Sequence, residues 1–190
     1  MKIQTLTALV CLLCAIATTG CTTQSEMPMR TPATVDLERF MGKWYVIASI
    51  PTFFERNAVN PLEHYRLNDD GTVAITFTFN DGGPAGKEKT LTMKGFPSSK
   101  PGIWSVQMLW PIKADYRIAH LDPDYEYSIV GRSKRDYLWI MARGPKASES
   151  KLSELLAIAA ELGYDPKEIR LTSWQQSIVP AAKQLSGLPR

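Results

Sequence analysis

The sequence predicts an all-β domain, an eight-stranded up-and-down antiparallel β-barrel with one C-terminal α-helix packed outside. Three observations carry that prediction. From residue 43 to residue 143 the chain falls into short runs of period two, and no long helical pattern interrupts them. The links between runs are short and rich in turn residues, so each strand pairs with the next, and closing such a meander removes its exposed edges. Residues 148–163 then change to a single apolar stripe at helical spacing. A two-sheet sandwich is the main structural competitor, but only Pro51 to Pro61 is a long connection of the kind Greek keys use.

Lys43 to Ile50 is the first strand, with Trp44, Val46, Ala48 and Ile50 on one face. Leu62 to Leu67 is the second. Thr72 to Phe79 (TVAITFTF) is the clearest, since Val73, Ile75, Phe77 and Phe79 alternate with threonine and alanine between two Asp/Gly-containing turns. Lys89 to Phe96 follows and stops at a Pro-Ser-Ser-Lys-Pro-Gly turn. Ile103 to Trp110 places Trp104, Val106, Met108 and Trp110 on one side, and Pro111 closes it. Tyr116 to Asp122, Glu126 to Arg132 and Tyr137 to Arg143 complete the eight. The helix is capped by Ser148, carries Glu149 in its first turn and stops near Gly163, with Leu152, Leu155, Leu156, Ala159 and Leu162 facing the strands.

The N-terminus is organised differently. Lys2, an apolar run from Leu6 to Ala17 and the small residues before Cys21 read as a secretory signal, too short to span a bilayer. All three cysteines lie at or before position 21, so no disulfide framework exists in the mature domain. Thr19-Gly20-Cys21 resembles the lipobox of bacterial lipoproteins, with Thr18 departing from the usual leucine and Thr22 resembling outer-membrane sorting. That resemblance implies acylation of Cys21, testable with labelled palmitate, and an anchor without a spanning helix. Ordinary cleavage near Gly20 is the alternative. The expected organisation is a signal peptide at 1–20, a lipidated tether at 21–36, the barrel domain at 37–178 and a tail at 179–190.

Composition excludes several classes of function. Hydrophobic residues at 44% and charged ones at 22% are globular proportions, not those of a disordered or collagen-like chain. The formal charge of +3 is evenly spread and forms no basic stripe with interleaved aromatics, so nucleic acid is not expected as a partner. His64 and His120 lie on separate strands without a helical i, i+4 partner, which gives no basis for a metal site. Ser148-Glu149-Ser150-Lys151 matches S-x-x-K, but no S-D-N or K-T-G follows it, and the match falls on a helix start. No G-x-S-x-G is present. The expectation is therefore a non-enzyme without a cofactor.

Several of these residues resemble the lipocalin family, in particular the bacterial outer-membrane lipocalins. Gly42-Lys43-Trp44-Tyr45 is similar to the family's G-x-W element. Ala114-Asp115-Tyr116 is similar to its second motif, usually T-D-Y, with alanine departing at the first place. Tyr137 to Arg143 (YLWIMAR) is similar to the last-strand motif, whose arginine stacks on the first-strand tryptophan at the closed end. The resemblance spans about residues 36–175 and implies a ninth strand from Ile169–Trp174 beside the first. Parity agrees with it, because an inward Arg143 brings Tyr137, Trp139 and Met141 into the interior with Trp44. Trp44 and Arg143 then form a plug through a cation-π contact of about 2 kcal/mol.

Period two does not decide whether the interior is hollow or filled; the resemblance implies a ligand cavity. The expected occupant is a fatty acid or lysophospholipid, with polar contacts restricted to the rim and contact residues Val46, Ala48, Ile50, Phe77, Phe79, Val106, Met108, Tyr116, Trp139 and Met141. Thr52 to Pro61 is expected to arch over the mouth as a lid, with Phe53 and Phe54 either meeting the incoming chain or tucking beneath as a minor core. Glu55 and Arg56 meet a headgroup there or pair in solvent. The expected role is binding, storage or transport of lipid, at the outer membrane and facing the periplasm through acylated Cys21. An envelope platform that binds partners rather than ligands is the first rival reading, a lipid-modifying enzyme the second, and a homodimer is left open.

Overall fold

The computed structural model describes residues 28–176. The expected signal peptide, Cys21 and the tail lie outside the described residues. A one-turn helix, α1 (Leu37–Phe40), is capped by Asp36, whose Oδ1 accepts from Arg39 N at 3.1 Å, and leads into β1 (Gly42–Ile50). A 3₁₀ turn (Phe53–Glu55) precedes β2 (Ala58–Leu67), β3 (Val73–Asp81), β4 (Glu88–Pro97) and β5 (Ile103–Leu109). Then come β6 (Ile112–Leu121), β7 (Tyr127–Gly131), β8 (Leu138–Ala142), α2 (Glu149–Glu161), a 3₁₀ turn (Pro166–Glu168), β9 (Arg170–Leu171) and α3 (Ser173–Gln176).

Each strand from β1 to β8 pairs antiparallel with the next, and β8 returns to β1, so eight strands close into a barrel. β1 uses Gly42–Tyr45 for β2 and Tyr45–Ile50 for β8. Beyond Tyr45, β2 leaves β1, and β9 takes the vacated edge through Ala48↔Leu171 and Ser49↔Arg170. The departure begins where β2 loses its regular register between Val59 and Leu62, at a left-handed Asn60 (φ 55°) followed by Pro61, which has no N–H for the ladder. α3 covers that gap. Ser173 Oγ accepts from Asn60 N at 2.7 Å, Trp174 Nε1 donates to Pro61 O at 2.8 Å, and the Trp174 ring meets Tyr45 edge-on at 5.2 Å. The expected ninth strand is therefore present but two residues long, and Trp174 closes the barrel wall.

Two elements begin earlier than their side-chain pattern predicts. β2 starts at Ala58 and β6 at Ile112, pairing Leu109 across a tight turn at Trp110-Pro111. Polar residues at the mouth hide these segments from a period-two reading, but backbone pairing needs no buried face. Helices α1 and α3 are too short to show any periodicity at all.

The apolar residues divide into two clusters. Outside the barrel, Leu152, Leu155 and Ala159 of α2 pack on Ile47, Ala48, Ile50, Ile129, Leu138 and Ile140. Ser148 Oγ accepts from Lys151 N at 3.2 Å, so the S-x-x-K serine is occupied as a helix cap. Inside, Trp44, Val46, Tyr65, Phe77, Trp104, Met141 and their neighbours form a second core.

The first strand faces both clusters, and a β-bulge between Val46 and Ala48, at Ile47, changes which of its residues face which. One extra residue reverses the facing of everything after it. Ala48 and Ile50, expected inward, therefore turn outward beneath α2. The bulge is held by Thr172, whose Oγ1 donates to Val46 O at 2.7 Å and whose N–H donates to Ile47 O at 3.0 Å.

After α2, the Tyr164 hydroxyl accepts from Arg132 N at 3.2 Å and donates to Tyr137 O at 3.1 Å, fastening the helix exit to the β7–β8 end of the barrel. It comes so close to Gly131 that a Cβ there would clash with the hydroxyl. Gly131→Ala is expected to displace Tyr164 and destabilise the fold by about 1–3 kcal/mol, read as a lower urea midpoint with an unchanged slope.

Candidate functional site

One end of the barrel is sealed. The Arg143 guanidinium lies 3.8 Å from the Trp44 ring centroid, and the indole Nε1 donates to Phe40 O at 2.8 Å. The guanidinium also donates to four backbone carbonyls: Nε to Tyr125 O (3.1 Å), Nη1 to Met41 O (2.9 Å) and Lys43 O (3.0 Å), and Nη2 to Arg39 O (2.6 Å). Gly42, at φ +95°, leaves room for that approach, since a Cβ would stand 3.4 Å from Nη1. Helix α1 and the residue that follows it, Met41, present two of those carbonyls.

Above the plug the interior is packed, with Trp104 stacked on Tyr116 at 5.4 Å and Tyr65 OH bonded to Tyr116 OH at 2.7 Å. Toward the other end it is hollow. A cavity of about 380 Å³ opens there, within the range of small-molecule sites. Filled and hollow thus occupy different halves of one barrel.

Seven of the residues expected to contact ligand line this cavity: Phe53, Phe54, Phe77, Val106, Met108, Tyr116 and Trp139. Five do not. Ala48 and Ile50 face outward after the bulge. Val46 and Met141 belong to the packed half, and Phe79 lies tilted against Phe77 at 5.3 Å in the inner wall without reaching the cavity surface.

The lid is shorter than the expected Thr52–Pro61, because residues from Ala58 onward are already strand. Phe53 and Phe54 are 69% and 61% exposed and meet each other edge-to-face at 5.7 Å, so they are not a minor core. Met108, Leu109, Trp110 and Ile112 of the β5–β6 hairpin are the other large apolar side chains exposed among the described residues. All but Trp110 of these exposed residues also line the cavity, which places an apolar rim around its opening.

Polar groups are not confined to the rim, contrary to expectation. Glu63, paired with Trp44 on β1 and Phe77 on β3, points into the barrel at 6% exposure, and its Oε2 has no hydrogen-bond partner. Glu55 turns inward from the lid instead of pairing in solvent with Arg56: its Oε2 accepts from Trp139 Nε1 at 3.1 Å and Thr52 N at 3.3 Å. Arg56 lies over the Phe53 ring at 5.2 Å. Asp115 and Arg132 also reach the cavity, but each has partners. Asp115 Oδ2 accepts from Ser133 N and Oγ at 2.7 and 2.6 Å, and Arg132 Nη1 donates to Asp136 at 3.3 Å.

Burial pushes the Glu63 carboxyl well above its usual 4.5, and the Glu55 charge nearby adds to that. Burial raises Glu55 as well, against the bonds from Trp139 and Thr52. An acid whose folded pKa exceeds its unfolded one holds its proton more tightly in the folded state. Stability therefore falls as pH climbs from about 4.5 toward the raised value. Glu63→Gln removes that penalty. The variant is expected to be more stable than the native chain by about 1–3 kcal/mol at pH 8, with the difference vanishing near pH 4, as urea unfolding at the two pH values would show.

The sequence held one signal for Glu63: strand parity puts it on the Tyr65 face of β2. Leu62 and Leu67 fall on opposite faces of the same run and obscure it.

Comparison with known proteins agrees with this geometry. Residues 35–174 match the family model described as a lipocalin-like domain. The temperature-induced lipocalin-1 of Arabidopsis thaliana is 32% identical over 146 residues, covering 73% of this chain and 78% of that protein. The outer membrane lipoprotein Blc of Escherichia coli (strain K12) is 31% identical over 133 residues, 68% of this chain and 74% of that protein. Among solved structures, the cockroach allergen Per a 4 shares the fold with a TM-score of 0.60 at 18% identity, over 76% of this chain and 92% of its own.

Proposed function

The chain belongs to the lipocalin-like family, and from that premise we propose that it binds a single-chain lipid, a fatty acid or lysophospholipid, and stores, carries or scavenges it in the bacterial cell envelope. The observation that supports this reading is the cavity: about 380 Å³, walled by Phe77, Leu91, Met93, Val106 and Val130, and open through an apolar rim. Each methylene moved from water into such a wall contributes about 0.8 kcal/mol. A chain of modest length therefore supplies the affinity, and polar contacts supply the choice of headgroup.

The relatives bear on location. Those from Escherichia coli and Vibrio cholerae are named outer membrane lipoproteins, and here Cys21 stands at the end of a signal-like segment. In this reading Cys21 is acylated, the tether joins it to the barrel, and the domain faces the periplasm from the outer membrane. Labelled palmitate is expected to enter the native protein and not Cys21→Ala; equal labelling of both would overturn the anchor.

The domain acts by binding and not by catalysis. Its Ser148 and Lys151 are committed to a helix cap and to an ion pair with Glu154 at 2.7 Å. The decisive experiment is lipid extraction from protein purified out of its native envelope, followed by mass spectrometry. One or a few acyl species at near-stoichiometric yield are expected. No co-purifying lipid, together with no saturable quenching of tryptophan fluorescence by a long-chain fatty acid or lysophospholipid, would favour the platform reading.

A further inference from the structure

Glu63 has no role in the fold that accounts for it. The carboxyl sits half-way along β2 inside the barrel, where burial of an unpartnered polar group is costly. The groups that face it are Glu55 from the lid, Tyr65 on its own strand and Tyr116 on β6, and none of them is a cation. The two tyrosine hydroxyls are bonded to each other at 2.7 Å. Arg132 Nε is the other buried side-chain atom without a partner among the described residues, and it belongs to the same cavity. Its charge, however, is already compensated by Asp136, and its guanidinium lies 5.1 Å from the Tyr137 ring centroid. Asp115 is likewise paired, with Arg117 at 3.1 Å, so the charged lining without an ion-pair partner is two acids, Glu55 and Glu63, in a wall otherwise apolar and aromatic.

We infer that Glu63, with Glu55 beside it, selects ligands by head-group charge: the cavity takes an amphiphile whose polar end carries an ammonium group in preference to the matched carboxylate. An ammonium entering the cavity gives Oε2 the donor it lacks and forms a charge-assisted pair in a low-dielectric site, where such pairs are strong. The aromatic faces of Tyr65, Tyr116 and Trp139 add cation-π attraction. A carboxylate would instead bring a negative charge beside the Glu55 and Glu63 carboxyls. Burial favours the protonated form of Glu63, so pairing with an ammonium draws that proton off to solvent and links binding to proton release. This inference rests on the cavity being a lipid site and chooses among lipids by charge.

The test compares three probes of equal chain length, dodecylamine, dodecanoate and 1-dodecanol, each below its aggregation threshold. They are titrated into the whole purified protein at pH 7 and followed by tryptophan fluorescence. The amine is expected to bind about ten- to a hundredfold more tightly than the carboxylate. In Glu63→Gln that ratio is expected to shrink to within about threefold, and Glu63→Leu, checked for native melting, should lose the preference in the same way. Calorimetry in buffers of different ionisation enthalpy should show proton release with the amine in the native protein and not in the glutamine variant. Equal binding of amine and carboxylate, or a preference that survives Glu63→Gln, overturns the inference while leaving the lipid reading intact. Failure of all three probes to bind overturns both.

Discussion

Arg143→Met is expected to lower the unfolding free energy by about 3–5 kcal/mol and the thermal midpoint by roughly 10 °C. The guanidinium is the common donor for carbonyls on α1, on the link before β1, on β1 and on the β6–β7 turn, segments otherwise joined at this end by single bonds such as Arg39 Nη2 to Pro123 O at 3.2 Å and Trp44 Nε1 to Phe40 O at 2.8 Å. Removing it leaves those acceptors to water or to nothing, and strips the Trp44 face of its cation. Arg143→Lys should recover only part of the loss, because a single ammonium keeps the charge but cannot reach four carbonyls from one planar fork. The cavity lies at the opposite end. Dodecanol affinity at 25 °C should therefore stay within about threefold of native. A melting point unchanged in the methionine variant would show that the plug contributes nothing to stability.

Val106→Trp is expected to weaken long-chain binding by about a hundredfold while costing the fold only about 1–3 kcal/mol. Val106 sits on β5 opposite Ala114 and lines the cavity wall. An indole there occupies room that would otherwise take roughly three or four methylenes, a loss of about 2.5–3 kcal/mol of transfer free energy, or about a hundredfold in Kd. The matched change on the other side of the wall, Ser105→Trp, points away from the cavity and should leave affinity unaltered. Competition titrations against a fluorescent acyl probe would separate the two. Equal weakening by both variants would mean that ligand binds elsewhere.

The TVAITFTF run, the turns around it and the stripe on residues 148–163 made most of the architecture readable, because each is a local pattern whose period directly reports a backbone conformation. The plug was readable through the family motifs that Trp44 and Arg143 resemble, and parity agreed because Arg143 directly follows β8, whose pairing with β7 carries no irregularity to change its facing. The cavity wall was legible only in part. Phe77, Val106 and Trp139 were found by parity, whereas Ala48 and Ile50 were misplaced by the same rule, since Ile47 is bulged by a carbonyl contact to Thr172, far along the chain. Glu63 escaped because a charged residue beside a histidine and an arginine reads as a solvated face until the neighbouring strands are known to close over it.

Strand number, strand order and the outer helix were thus legible in chain-local alternation and spacing, and the sealing pair in its resemblance to the family's motifs. Which side chains border the hollow, where packing gives way to space, and the burial of an unpaired carboxyl came from the assembled barrel. The physical reason is that facing and solvation are properties of a residue's neighbours across the sheet, and one inserted residue or one closing strand resets them without altering the local pattern.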